Sequence, residues 1–224
     1  MVQGVPRILA LMSLAAYRRK RNFGLTPEPS GGSNPIHKRD RALVYVIQKH
    51  RASHLHYDFR LEWNEALVSW AVPKGPSLDP SVKRLAMQVE DHPLDYATFE
   101  GVIPEGEYGG GTVMLWDEGT WVPENEDAGA ALEQGELKFT LKGKKLKGSW
   151  VLVCTRGFGR QPARPSWLLI KHRDRYASTK DITQCEPYSV RSRRLLADIA
   201  RDEGGDVTKA ATGDPILKKA GARA

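Results

Sequence analysis

A chain of 224 residues with 40% hydrophobic residues can bury one large core, and no apolar run is long enough to span a membrane. The formal net charge of +7 sits on the flanks: residues 1–41 hold 8 Lys and Arg against 2 Asp and Glu, residues 191–224 hold 8 against 5, and residues 42–190 hold 18 against 20. Two cysteines, Cys154 and Cys185, form no CxxC pair, which suits a reducing compartment and argues against a thiolate zinc site.

In chain order, the apolar stretch Ile8-Leu9-Ala10-Leu11-Met12 is followed by the basic cluster Arg18-Arg19-Lys20-Arg21. A secretory signal has the opposite order. Residues 12–21 read as a short amphipathic helix, and residues 25–40, rich in Pro, Gly and Ser, read as irregular chain. Residues 1–41 are therefore expected to form a basic, partly ordered arm suited to non-specific attraction to a polyanion.

From residue 42 onward, short apolar or alternating runs are separated by turn residues. Expected strands are Leu43–Lys49, Leu55–Glu62, Val68–Val72, Leu85–Val89, Gly111–Trp116, Leu137–Leu141, Ser149–Thr155 and Trp167–Lys171. Pro73-Lys74-Gly75-Pro76, Pro104-Glu105-Gly106 and Gly109-Gly110-Gly111 mark turns, and Glu126–Gln134 reads as a turn or two of helix. The pattern predicts a mainly β fold, a small closed or nearly closed β-barrel over 42–190 with short flanking helices and disordered tails. Residues 191–224 are expected to be a mostly disordered C-terminal tail, with a helix end near Leu195–Ala200.

The densest chemistry lies in His50-Arg51-Ala52-Ser53-His54-Leu55-His56-Tyr57-Asp58-Phe59-Arg60. Polar and apolar residues alternate from His54 to Leu61, so a strand places His54, His56, Asp58 and Arg60 on one face. Imidazoles and a carboxylate at this spacing can converge on one cation, with His50, His56 and Asp58 as the facial set. By ligand type Mn²⁺, Zn²⁺ and Fe²⁺ all suit it. Arg84-Leu85-Ala86-Met87-Gln88-Val89-Glu90-Asp91-His92 repeats the pattern, with Arg84, Gln88, Glu90 and His92 expected on one face. Lys74, set in a Pro-Lys-Gly turn, joins Arg60 and Arg84 as a phosphate clamp. The loop Glu105–Gly111 matches neither a P-loop nor a dinucleotide fingerprint and reads as a turn entering a strand.

Two other readings share these residues. His56-Tyr57-Asp58 with His92 as a distant third ligand would be the facial triad of a non-haem iron oxygenase on a β-barrel. A non-catalytic nucleic-acid-binding module would use the basic arm but leaves the clustered imidazoles unexplained.

Gln48-Lys49-His50, His56-Tyr57-Asp58-Phe59-Arg60-Leu61-Glu62, Ser69-Trp70-Ala71-Val72-Pro73-Lys74-Gly75-Pro76 and Val89-Glu90-Asp91-His92-Pro93-Leu94-Asp95-Tyr96 resemble the 3′-phosphoesterase module of bacterial DNA ligase D. Phe99-Glu100-Gly101, Ile103-Pro104, Gly106, Tyr108-Gly109 and Trp167-Leu168-Leu169-Ile170-Lys171 continue the resemblance, which runs from about Tyr17 to about Ala177. It implies a small β-barrel enzyme that removes a 3′-terminal ribonucleoside and then the 3′-phosphate, leaving a 3′-hydroxyl for end joining. Mn²⁺ is the implied metal, with Zn²⁺ or Co²⁺ as other divalent choices. By resemblance, His50, His56 and Asp58 hold the metal, and Arg60, Lys74, Arg84 and Gln48 serve the phosphate. His92 acts at the scissile phosphate as a phosphate donor or general acid, Tyr96 assists, and Glu28 and Glu90 support. The implied partners are DNA primer–template 3′ ends together with an end-joining ligase, polymerase and end-binding proteins, in the cytoplasm at the nucleoid. This chain departs from the family at Lys20-Arg21-Asn22-Phe23, where an Asp is usual in place of Asn22, and at Ser53-His54, where Arg-Arg is usual. The chain is too short to hold the polymerase and ligase domains, so a stand-alone form or a fragment is expected. The family pattern starts near Met12, which offers an alternative start to Met1.

Overall fold

The computed structural model describes residues 14–31, 42–155 and 166–216. Within them, a helix α1 (Leu14–Arg19) precedes strands β1 (Leu43–Arg51), β2 (Leu55–Trp63), β3 (Ala66–Val72) and β4 (Arg84–Pro93). A 3₁₀ turn η1 (Leu94–Thr98), a short β5 (Gly101–Ile103) and a long β6 (Gly111–Pro123) follow. Then come α2 (Ala128–Gln134), β7 (Glu136–Gly143), β8 (Lys147–Thr155) and β9 (Ser166–Lys171). The described part ends with α3 (Ile182–Cys185), α4 (Leu196–Asp202) and α5 (Val207–Ala211).

Antiparallel pairing runs β1-β2-β3-β4-β9-β8-β7-β6, and β1 pairs back onto β6 to close the ring. The expected barrel is therefore present and closed. β5, which the sequence reading did not anticipate, is three residues long and pairs with the first residues of β6.

Alternation decides what fills the barrel. Tyr45 and Ile47 of β1, Tyr57, Phe59 and Leu61 of β2, and Val68, Trp70 and Val72 of β3 point inward. They join Trp116, Trp121, Phe139, Trp150 and Trp167 in one buried cluster. The opposite residues of β1, β2 and β3 face outward, beneath a cap made by α1, the turn after it, η1 and the loop between β5 and β6. A second, smaller apolar cluster of Tyr17, Leu67, Tyr96, Phe99, Ile103 and Val113 holds this cap in place.

Two expectations are corrected here. Gln88 was expected to share a functional face with Glu90 and His92. Instead it is opposite Trp70 and accepts a hydrogen bond from Trp167 Nε1 at 3.3 Å, on the barrel's inner side. Leu85 and Met87, expected to be the packed face, are exposed. The reason is a bulge. Ser69 is opposite Val89 but Leu67 is opposite His92, so three steps along β4 match two along β3. The extra residue inverts the alternation, and only beyond it do Glu90 and His92 reach the outer face.

The second correction concerns residues 191–224. Residues 191–216 are not a loose tail. Leu196, Ile199 and Ala200 of α4 and Ala210 of α5 are buried in the barrel's own cluster. Asp214 accepts hydrogen bonds from the Leu196 and Ala197 amides at the start of α4 (3.1 and 2.9 Å), and it lies 3.7 Å from buried Lys49. These bonds satisfy amides that a helix start leaves without partners. The remainder of the C-terminal tail, and most of the N-terminal arm outside 14–31, lie outside the described residues. No described helix is long and apolar enough to cross a membrane.

Candidate active site

β1 and β2 place His50 directly opposite His56, and Gln48 opposite Asp58. The imidazole rings stand 4.8 Å apart. His50 Nδ1 and His56 Nε2 each lie 3.7 Å from an Asp58 oxygen. One ligand atom from each of the three residues falls within 4.8 Å of the others. His50 Nε2 is buried without a hydrogen-bond partner. Burial holds the His50 imidazole below its ordinary pKa, against the pull of Asp58, so the ring is neutral and can donate a lone pair. His56 Nδ1 is 3.0 Å from the His54 carbonyl oxygen, which fixes the proton on Nδ1 and leaves Nε2 free toward Asp58. The residues present thus fit a divalent cation. His54 itself is exposed in the turn before β2, so it enters the site through its carbonyl rather than its ring.

Asp58 joins this trio to a guanidinium. Arg60 is 2% exposed and donates from Nη2 to Asp58 Oδ2 (3.1 Å), from Nη1 to Ser69 Oγ (2.9 Å) and from Nε to Gln48 Oε1 (2.8 Å). Burial alone would raise the Asp58 carboxyl, but Arg60, His56 and His50 outweigh it and hold it far below the usual carboxylate range. Gln48 is fully buried and donates to the Tyr96 and Phe99 carbonyls (3.1 and 2.9 Å). Both ends of its amide are engaged, so Gln48 braces Arg60 against η1 rather than reaching a phosphate.

His92 lies on the other side of Arg60. Its Nδ1 is 2.8 Å from both Arg60 Nη1 and the Glu90 carbonyl, and its Nε2 is 3.3 Å from Arg21 Nη2. The tautomer with Nδ1–H donates to the Glu90 carbonyl and lets Nε2 accept from Arg21, but gives the Arg60 donor no acceptor on Nδ1; the other tautomer accepts from Arg60 and forgoes both of those bonds. Burial, with Arg60 and Arg21 alongside, holds the ring well below the ordinary histidine pKa and keeps it neutral. The Tyr96 ring packs edge-on against His92 at 4.8 Å, and the Tyr96 hydroxyl donates to Glu28 Oε1 at 3.0 Å.

Arg21 is the residue the sequence reading left without a role. It follows α1, lies 3.8 Å over the Tyr17 ring, and is gripped by Glu28 Oε1 at 2.8 Å and Glu90 Oε1 at 3.5 Å. Lys20 Nζ bonds the other Glu90 oxygen at 2.8 Å. Glu28 and Glu90 therefore act by aiming cations. Asn22 is exposed, and its Oδ1 accepts from the Gly24 amide at 3.1 Å within its own turn.

One cleft collects these groups. It is lined by His50, His56 and Asp58 on one side and by Arg21, Arg60, Glu90 and His92 on the other, with Tyr96, Tyr108 and Gly109 completing the wall. Lys74 and Arg84 are not among its lining residues. Lys74 is exposed at the tip of a turn closed by the Gly75 amide on the Val72 carbonyl (3.1 Å). Arg84 is half-buried at the start of β4, and its buried Nε has no partner. The fold thus gathers Arg21 and Arg60 as the cations of the cleft and leaves Lys74 and Arg84 outside it.

Asp91, between Glu90 and His92, is buried with Oδ1 unpartnered. Burial, reinforced by Glu90, pushes its carboxyl up to about 7. The folded protein then holds a proton that the unfolded chain has already released, so stability falls as pH rises from the ordinary carboxylate range to about 7. The slope from this one group reaches roughly 1.4 kcal/mol per pH unit. Asp91→Asn is expected to flatten the dependence between pH 5 and pH 7, as read by urea unfolding; an unchanged slope would count against the assignment.

Comparison with known proteins gives the family. Residues 48–154 match the family described as the DNA ligase D 3′-phosphoesterase domain, a span that includes His50, His56, Asp58, Arg60, His92 and Tyr96. The chain is 53% identical over 186 residues to the multifunctional non-homologous end joining protein LigD of Pseudomonas aeruginosa, covering 82% of this chain and 22% of that protein. It is 46% identical over 146 residues to the corresponding DNA repair protein of Mycobacterium tuberculosis, covering 64% of this chain and 18% of that protein. With the LigD protein of Mycolicibacterium smegmatis it shares 41% identity over 149 residues, again 64% of this chain and 19% of that protein. The chain thus spans about a fifth of the length of these curated relatives. With the barrel, the cleft and these matches together, the chain carries a domain of the DNA ligase D 3′-phosphoesterase family.

Proposed function

We propose that this protein is a divalent-metal-dependent phosphoesterase that heals DNA 3′ ends during double-strand break repair by end joining. One observation carries the reading: a two-histidine, one-carboxylate set shares a cleft with two buried arginines and a neutral histidine, linked through the 3.1 Å Arg60–Asp58 bond. A transition-metal oxygenase has little use for paired guanidiniums, whereas a phosphoryl group in transit requires them. The ligand set also groups His50, not His92, with His56 and Asp58.

In this reading His50, His56 and Asp58 hold the metal, Mn²⁺ being the favoured ion and Zn²⁺ or Co²⁺ alternatives. A divalent ion held by these three residues would supply positive charge to polarise a phosphate oxygen and to activate water. Arg60 and Arg21 neutralise the remaining phosphate oxygens. His92 presents Nε2 to the same space, first as a neutral contact and, once it takes a proton in the presence of a bound phosphate, as the acid for the leaving oxygen. Tyr96 fixes the His92 ring. Lys74 and Arg84 serve the DNA strand beyond the cleft. A 3′-terminal ribonucleoside leaves when the bond from phosphorus to its 5′-oxygen breaks and water's oxygen takes its place. A second hydrolysis breaks the bond to the primer's 3′-oxygen and releases phosphate. The substrate is a primer–template 3′ end at the cytoplasmic nucleoid, and the partners are an end-joining ligase, a polymerase and end-binding proteins.

The test is a primer–template ending in one ribonucleotide, and a second ending in a 3′-phosphate, each incubated with the protein and Mn²⁺. Conversion of both to a 3′-hydroxyl end, lost with His92→Ala, is expected. Failure of the wild-type protein on both ends would remove the phosphoesterase reading.

A further inference from the structure

Removing a nucleoside from a phosphodiester demands something that hydrolysing a terminal phosphate does not: a surface for the departing nucleoside. The cleft wall supplies one candidate. Tyr108 is 44% exposed while lining the same cleft as His50, His92 and Arg21, and the other tyrosine of that wall, Tyr96, is buried. The ring is left this open beside a cluster of charge.

The loop that carries Tyr108 is built to hold it there. The Glu107 amide bonds the Pro104 carbonyl at 3.2 Å, and the Gly110 amide bonds the Glu107 carbonyl at 2.9 Å. A Cβ on Gly111 would collide with the Arg51 carbonyl oxygen, and one on Gly110 would fall 2.8 Å from the Pro104 carbonyl oxygen. Glycine at these positions lets the loop lie flat on β1, so that Gly109 comes against the His50 ring, where a Cβ would meet Cε1 at 3.7 Å. Tyr108 therefore stands one residue from the metal trio.

Two cations neighbour the ring. Lys20 Nζ lies 4.5 Å from the ring centroid and donates to the hydroxyl at 3.1 Å, and the Arg21 guanidinium is 5.5 Å from the centroid. Both cations are anchored by Glu90. The hydroxyl accepts from Lys20 and keeps its own O–H to donate. The ring is thus steadied by two anchored cations while it stays 44% exposed at the cleft wall, and its O–H keeps a proton to donate. That pairing suits a nucleobase and its ribose.

We infer that Tyr108 is the stacking platform for the 3′-terminal ribonucleoside, and so sets the preference of the site for a nucleoside-capped over a bare phosphate end. The inference rests on the phosphoesterase reading above. Stacking of one base on an aromatic side chain is worth on the order of tenfold to a hundredfold in affinity.

Two measurements test it. In the first, wild-type, Tyr108→Phe and Tyr108→Ala proteins process ribonucleoside-ended and 3′-phosphate-ended primer–templates with Mn²⁺. Tyr108→Ala is expected to lower the ratio of kcat/KM for the ribonucleoside end to that for the phosphate end by about tenfold or more, chiefly through KM, and Tyr108→Phe is expected to keep most of it. An unchanged ratio would overturn the assignment. The second needs no turnover: a primer ending in 2-aminopurine riboside is bound by metal-free protein. A fluorescence change with wild-type and Tyr108→Phe that vanishes with Tyr108→Ala supports the platform, and a change that survives in Tyr108→Ala refutes it. Wild-type protein that hydrolyses neither end yet shows the Tyr108-dependent signal would sink the phosphoesterase reading alone.

Discussion

Replacing His56 by Ala is expected to abolish most of the metal-dependent turnover of this protein while leaving it folded. The ring is only half-buried in the turn-proximal part of β2, and its contacts are the Asp58 oxygen at 3.7 Å, the His54 carbonyl at 3.0 Å and the His50 ring. None of these belongs to the barrel core, so the cavity cost of truncation is small. The loss falls on the ligand set, which drops from three donors to two. A metal contributes several kcal/mol of charge stabilisation to the transition state. At about 1.4 kcal/mol for each tenfold, the rate should fall on the order of a hundred- to ten-thousandfold at saturating substrate. The thermal midpoint without metal should stay within a few degrees of wild type, whereas the rise in midpoint expected of the wild-type protein on adding Mn²⁺ should be absent. A His56→Ala protein that retains both its activity and its metal-dependent rise in midpoint would place the metal elsewhere.

Arg60→Met should damage the protein in a different way. Arg60 is the hinge between the two halves of the cleft, and its guanidinium serves Asp58, Ser69 and Gln48 and borders His92. A methionine replaces the apolar stem but not the guanidinium, and leaves Asp58 as a buried carboxylate without its main cation. Removing one partner of a buried ion pair costs about 3–5 kcal/mol, because the remaining charge keeps its desolvation penalty. The expected result is a drop of that order in unfolding free energy, together with loss of turnover on both kinds of 3′ end. A double variant, Arg60→Met with Asp58→Asn, should regain part of the stability and none of the activity. That split separates the electrostatic role of Arg60 in folding from its role at the phosphate. If Arg60→Met alone were as stable as wild type, the bond network around Asp58 would not be the one that holds the site.

The different fates of these residues in the sequence have a physical basis. β2 runs without interruption, so strict alternation from Leu55 to Trp63 reads directly as two faces, and Asp58 and Arg60 fall on the outer one as expected. His50 joins them because a short turn returns the chain with His50 opposite His56. β4 defeats the same reasoning. Its bulge adds a single residue with no signature in composition, and that residue sends Gln88 into the barrel and Glu90 and His92 out of it. The helical spacing of Leu196, Ile199 and Ala200 was visible, but its charge-rich setting suggested a solvated tail, and only the buried surface under α4 shows where the apolar side goes.

The amino-acid sequence by itself determined the barrel class and the grouping of His50, His56 and Asp58 with the arginine next to them, because each depends on period-two alternation and on residues a turn apart. Tertiary structure alone decided which cations share the cleft. Arg21 reaches His92 across 71 positions, Lys20 reaches Tyr108 across 88, and Tyr96 reaches Glu28 across 68. Contacts at such separations leave no local pattern. They arise when ring closure brings the cap down on the outer faces of β1, β2 and β4, and burial there makes a carboxylate such as Glu28 or Glu90 seek out the nearest cation.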